Sequence, residues 1–496
     1  MSIEKLAPIT KILLVSVLGL LSAGCIAFSP DGGLSEASNA SIDQFGTAAH
    51  LNKTEDDVVK SKERVRQLIK KPLTINAAIE IALINNRSLQ AEYNRLGAAE
   101  AIMQRDSLPP NPVFSFAYLS GPFSNELDGA IVGNILALAT LPARKEVAAE
   151  QFKVAQLHAA AETLRLGYDV RRDYYKAIAA LELAAGIKQE SRAFDSVAGL
   201  AHQLAESGAM NRLEQAQSQL SSAEVATRLA SANLEAIKAR ESLTKVLGLW
   251  GVDIDYVLPK ILPQPPSKPR TIPDIEAQAL NRRIELRLDS AEMTVLSKTL
   301  GLTVAWRFID LLELAGLRRG QNENFPASNP GGLPDSARFR TVGGGIAIEI
   351  PLYDFGETKV RAAEQRWMEA VNTLAHKAIL VRSQVRQSYQ EYRYAHEIFH
   401  FRQTEVNALQ SVISEETLRR YNGMLIDPFP LLENAKKRIL LEAEQIIAKR
   451  DYWIAETDLR AAISGPSDLV PIAKEHEAST TMPLSGLNSN FGGEVQ

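Results

Sequence analysis

The residues best spaced for chemistry are His396-Glu-Ile-Phe-His400. On a helix, histidines four apart share one face, where two imidazoles can hold zinc and the intervening Glu397 can act as general base. A zinc hydrolase also needs a third ligand and an open coordination position. His400 is followed by Phe-Arg-Gln-Thr-Glu405, so the longer zinc motif with its third histidine is absent. Glu415, Glu416 or Glu433 could be invoked to complete the set, but all fall further along the same long helix or its partner, where no cleft is implied. Gly343-Gly-Gly345 lacks the Lys-Ser/Thr pair and the following helix start of a phosphate loop, and reads as small strand residues. No Ser-His-Asp arrangement and no nucleophile motif is present. The expectation is a protein that is not an enzyme and carries no cofactor.

The elements that would position these residues form one pattern that occurs twice. Ala148-Ala-Glu-Gln151 returns as Ala362-Ala-Glu-Gln365, Gly208 as Gly423, Leu213-Glu-Gln-Ala216 as Leu432-Glu-Asn-Ala435, and Gly248 as Gly465. The offset is about 215 residues throughout, which points to duplication. The chain has 23 prolines, yet none between Pro142 and Pro259 or between Pro351 and Pro428. Proline costs roughly 3 kcal/mol inside a helix, so these stretches read as continuous helix. Val147, Val154, Ala161, Tyr168 and Tyr175 recur every seven residues, with Leu157, Leu164 and Ile178 in the intervening position, as in helices that coil against neighbours.

Composition agrees with long packed helices. Apolar residues make up 45% of the 496 and charged residues 23%, and the net charge of −4 is too small and too evenly scattered to suggest nucleic acid. At the N-terminus, Lys5 and Lys11 precede Ile12-Leu-Leu-Val-Ser-Val-Leu-Gly-Leu-Leu21 and then Ser22-Ala-Gly-Cys25. The apolar run is shorter than the ~20 residues that span a bilayer and fits the core of a secretory signal. Small residues ahead of the chain's single cysteine resemble a bacterial lipobox, which implies a lipid attached to Cys25 as the mature N-terminus. An ordinary signal peptide that happens to hold a cysteine is the alternative.

The expected order is a signal peptide at 1–24, a tether at 25–71 with a short helix from Glu55 to Lys71, a first repeat at 72–250, a proline-rich linker at 251–273, a second repeat at 274–465 and a tail at 466–496. In the first repeat a helix capped by Thr74 runs to about Ser107, strands follow at 113–118 and 130–141, and long helices fill 143–248. In the second, strands are expected at 302–314 and 338–352 and long helices at 357–465. Four strands cannot close a barrel alone, so several chains must share one.

This order, with the lipobox, resembles the outer-membrane efflux protein family, the TolC-like channels and their lipidated branch. The resemblance rests on Leu73-Thr-Ile-Asn-Ala-Ala-Ile-Glu-Ile-Ala-Leu83 with Asn85-Asn86, Leu108-Pro-Pro-Asn-Pro112, Pro351-Leu-Tyr-Asp-Phe-Gly356 and the two Gly-then-Leu-Glu-x-Ala turns. It implies a mostly α fold with a membrane β-barrel portion: a homotrimer whose twelve strands form one barrel in the outer membrane, continued by a helical tunnel across the periplasm. It also implies a passive export conduit joined to an inner-membrane pump through a periplasmic adaptor. The turns at Gly208 and Gly423 would form the periplasmic aperture. Asp427 is a candidate for a threefold carboxylate ring there, or else merely starts the return helix ahead of Pro428. A secreted coiled-coil structural or adaptor protein without a pore is the alternative function, and a zinc peptidase a third.

Overall fold

The computed structural model describes residues 27–122, 124–207, 211–324 and 336–466. The expected signal peptide, Cys25, Gly208 and the tail beyond 466 lie outside them. Residues 27–71, expected as most of a tether, are not a loose segment. Helix α1 (Ser35–Phe45) buries Ala37, Ser41 and Phe45, whose spacing of four was hidden by the Ser- and Asn-rich composition around it. Phe45 lies edge-on to Tyr168 at 5.1 Å, and Gly167 makes room for it, since a Cβ there would sit 2.2 Å from the Phe45 ring. Helix α2 (Glu55–Ile69) opens on a capping box between Thr54 and Asp57.

The helix expected from Thr74 to Ser107 is two helices, α3 (Ile75–Asn85) and α4 (Arg87–Asp106). Asn86 breaks them: its backbone is extended, its Oδ1 accepts from the amides of Ser88 and Leu89, and its Nδ2 donates to the carbonyl of Val246. A polar side chain that can cap one helix and tie down the end of another outcompetes continued helix. After β1 (Val113–Ser120) and β2 (Ser124–Asn134) come the short α5 (Ile135–Ala139) and α6 (Leu141–Glu206). At 66 residues α6 is roughly 99 Å long by the usual rise of ~1.5 Å. Its seven-residue stripe is its buried side, with Leu157, Ala161, Leu164, Tyr168, Tyr175 and Ile178 all in the core. Helix α7 (Arg212–Leu247) returns from a capping box of Asn211 and Glu214.

The second repeat runs α8 (Ile275–Arg282), α9 (Ile284–Ala305), β3 (Leu311–Asn324), β4 (Ser336–Glu349), α10 (Glu357–Phe401), a π-helical turn at Arg402–Val406, α11 (Asn407–Asn422) and α12 (Pro428–Ser464). The duplication extends to its fastenings. Asn86 at the α3–α4 junction holds the end of α7, and Arg283 at the α8–α9 junction donates through Nη1 to the carbonyl of Ala462 at the end of α12. Arg283 is fully buried, braced by Glu285 at 2.9 Å, and burial pulls its guanidinium below the ordinary arginine range against that partner. Ile187 and Phe194 of α6, Val225 of α7, and Leu432 and Ile439 of α12 share one apolar cluster, which joins the two hairpins.

The segment expected as a 251–273 linker is a strap across the helices. Tyr256, Leu258 and Leu262 are buried. Val257 accepts from the amide of Leu73, the amide of Leu262 donates to Glu182, the amide of Arg270 donates to the Tyr392 hydroxyl, and Trp453 Nε1 donates to the Pro263 carbonyl. Among the described residues no helix is long and apolar enough to cross a membrane.

Candidate functional site

The four strands pair antiparallel in the order β1-β2-β3-β4, leaving β1 and β4 as free edges. All four strands differ from expectation, β1 only in running two residues further to Ser120. The β1–β2 turn is tight, closed by the Gly121 amide on the Ser124 carbonyl, so β2 occupies 124–134 and not 130–141, and 135–139 is helix capped by Asn134. Residues 302–305 belong to α9, and β3 extends to Asn324 through Arg318 and Arg319. β4 ends at Glu349, whose carbonyl takes the Asp310 amide ahead of Pro351. Charged residues inside β2 and β3 break the alternation of large apolar with small residues that marks β1.

Register separates the sheet into two unlike faces. One face carries Phe114, Phe116 and Tyr118 from β1, Leu127 and Ile131 from β2, Leu312 and Leu314 from β3, and Val342, Ile346 and Ile348 from β4. The other carries Ser115, Glu126, Asp128, Glu313, Arg319, Gln321 and Glu349, with small residues and the apolar Val113, Leu119, Leu317 and Phe339 between them. Arg319 forks onto Asp128 with two hydrogen bonds of 2.9 Å. The apolar face is uncovered in a single chain: Phe116 is 78% exposed and Val342 79%. So large an uncovered apolar surface demands a partner or a lipid phase. The 14 residues of β3 extend about 46 Å, enough to span a membrane core of ~30 Å at the usual tilt.

At the far end of the second hairpin, α11 gives way to the turn at 423–427. Gly423 does not supply the left-handed residue; its φ is −81°, and Met424 takes φ 60° instead. The amides of Gly423, Met424 and Leu425 close back onto Arg419, Tyr421 and Arg420. Met424 is 94% exposed and Leu425 76%. Glu415 and Glu416 are paired along the helix with Arg419 and Arg420. Asp427 is the N-cap of α12 with Pro428 first in the helix, yet its exposed side chain makes no capping bond and has no charged partner among the described residues. Gly208 lies outside the described residues.

The fold is shared by solved outer-membrane channels. The outer-membrane channel OprN is 17% identical over 86% of this chain and 96% of that one, with a TM-score of 0.62. CmeC of Campylobacter jejuni, an outer membrane channel, is 16% identical over 84% and 89%, with 0.63. CusC, described by its transmembrane channel formation, is 15% identical over 79% and 92%, with 0.64. The fold is that of the TolC-like outer-membrane channels. No family model matches the sequence, and no curated protein does either.

Within this channel fold the histidine pair has another use. His396 and His400 both direct Nε2 at the carbonyl oxygen of Pro266 in the strap, at 2.8 and 3.0 Å, with their rings 4.3 Å apart. The point on which two imidazoles would place a metal is filled by a peptide oxygen, and Glu397 lies exposed beside it. Among the described residues no three His, Cys, Asp or Glu side chains are placed to hold a metal ion. His396 is 6% exposed, a buried fastener of the strap. Burial lowers its pKa, with the Pro266 carbonyl opposing and His400 adding to the shift.

A ring whose folded pKa is depressed contributes stability above the unfolded value of ~6.5, and that contribution is lost as pH falls through the folded pKa. Urea midpoints of the wild type are expected to fall on acidification below about pH 6.5, and His396→Gln, which can still donate to Pro266 without titrating, is expected to flatten that decline. Identical pH profiles for the two proteins would count against the buried neutral ring.

Proposed function

We propose that this protein is an outer-membrane channel of a tripartite efflux or secretion system, a passive export conduit joined to an inner-membrane pump through a periplasmic adaptor. The observation that carries the reading is the four-stranded sheet with an apolar face, a polar face and two open edges. Lipid cannot hydrogen-bond an exposed strand edge, so the edges must be paired. Pairing β4 of one copy with β1 of the next, in a homotrimer of twelve strands, closes the barrel with the apolar face toward lipid and the polar face toward a lumen. Cys25, in this reading, carries the acyl chains that anchor the chain at the same membrane. Structural likeness to OprN, CmeC and CusC supports the channel, and the hairpin turns would form the periplasmic aperture.

Asp427 then comes from three chains at the narrow end. Its carboxylate is exposed and uncapped, which favours a ring over a purely helix-starting role. Three carboxylates around a constriction favour cations at low salt. In planar bilayers the wild-type channel is expected to be cation-selective, and Asp427→Ala to bring the cation-to-anion permeability ratio toward one. Unaltered selectivity in Asp427→Ala would remove the ring, and purified protein that never conducts would remove the channel.

A further inference from the structure

The charges on the strands are sorted by face. Glu126, Asp128, Glu313, Glu323 and Glu349, all the carboxylates the four strands hold, fall by register on the polar face. Of the arginines, only Arg319 joins them, and it is spent on Asp128. Arg318, Arg338 and Arg340 fall on the apolar face, all exposed. Arg340 stands across from Gly320 and Arg338 across from Asn322, while Arg318 is the diagonal neighbour of Arg340, a separation of about 7–8 Å. Arg338 donates to Asn322 at 2.9 Å, and no carboxylate pairs with any of the three among the described residues.

A second copy of the chain does not supply the missing charge. The edge that β4 would meet is β1, Val113-Phe-Ser-Phe-Ala-Tyr-Leu-Ser120, which contains no acid. Arg338 and Arg340 lie toward the turn end of the strands, away from the helices, in the rows of Ser120 and Tyr118, and Arg318 stands at mid-strand in the row of Phe116, where its long side chain can reach toward the same end. An arginine on the lipid side of a barrel is costly at mid-membrane and nearly free at the interface, where aromatic rings also gather. Guanidinium groups with no carboxylate partner among the described residues suit an anion supplied from outside the protein. The planar fork of arginine matches phosphate oxygens two at a time.

We propose that Arg318, Arg338 and Arg340 form a belt on the outside of the barrel that binds the phosphate groups of glycolipids in the outer leaflet. This rests on the barrel reading above, and three chains would repeat the belt around the cylinder. Phosphate chemistry, not the acyl chains, is what the belt recognises.

The test uses the full-length trimer in phosphatidylcholine vesicles carrying either bisphosphorylated lipid A or lipid A stripped of phosphate, with retained lipid measured after re-extraction and conductance recorded from the same preparation. The wild type is expected to retain the bisphosphorylated lipid preferentially, and less so as salt rises. Arg318→Gln/Arg338→Gln/Arg340→Gln is expected to lose retention on the order of a hundredfold, each arginine near an anionic surface being worth about a factor of five. Arg319→Gln, on the polar face, is expected to keep it. Conducting protein whose retention is the same with and without phosphate, or the same in the triple variant, overturns the belt alone. Protein that does not conduct in any vesicle overturns the barrel and the belt together.

Discussion

Ile346→Arg is expected to abolish stable insertion into membranes, while Ala347→Arg, one residue further on, is expected to insert and to alter conductance. The two positions share a strand and differ only in face. Ile346 is 68% exposed on the apolar side, across from Leu314, in the middle of the strand's apolar stretch. An arginine at the bilayer midplane costs about 2–4 kcal/mol, and the proposed trimer incurs that cost three times. The total, roughly 6–12 kcal/mol, is of the same order as the whole folding stability of a domain. Ala347 faces the other way, across from Glu313, so an arginine there gains a carboxylate in a wet lumen. Membrane fractionation and single-channel recording of both variants read the outcome. Equal insertion of the two would mean that the apolar face does not meet lipid.

The second large effect is expected at Gly356, where the sheet hands over to α10. Gly356 is in the left-handed region at φ 72°, and a Cβ on it would lie 2.1 Å from the carbonyl oxygen of Arg307. Arg307 reaches back across the same junction, Nε to the Phe355 carbonyl at 3.1 Å and Nη2 to Glu357 at 3.0 Å. Any side chain must therefore adopt a conformation that costs roughly 1–2 kcal/mol and also push one backbone segment off another. Gly356→Ala is expected to lose about 2–4 kcal/mol in urea denaturation. Gly316→Ala, whose Cβ would meet nothing within 4 Å, is the control and is expected to stay close to wild type. Matching midpoints for the two glycine variants would refute the close approach.

The Pro351-to-Gly356 motif illustrates how far sequence reading reached. The motif stood out as a resemblance, and its glycine as one residue in it. Only the fold brings the Arg307 carbonyl, some fifty residues away, against that position. The paired closing glycines behave alike. Gly248 sits at φ 69° with a Cβ position 3.0 Å from the backbone of Asn85 and Asn86, whereas Gly465 has an ordinary φ and faces the ring of Tyr168 at 2.4 Å. Duplication kept a glycine at both places while the neighbour that requires it changed.

The long helices and the existence of four strands were legible because their signals are local: absence of proline, a seven-residue stripe that becomes the buried side of α6, and the alternating Phe114, Phe116 and Tyr118 of β1. Strand boundaries were not, because Asp128 and Arg319 look like loop residues until one face is known to be polar. The histidine pair misled for the same reason. Spacing along a helix says that His396 and His400 share a face, but not that the Pro266 carbonyl occupies the point between them. The order, length and duplication of elements are set by chain-local hydrophobic period and backbone propensity, which a linear sequence contains in full. Which face of the sheet is outside, where the strap lies and which charges stay unpaired depend on contacts between residues far apart in the chain, and those exist only once the hairpins have packed.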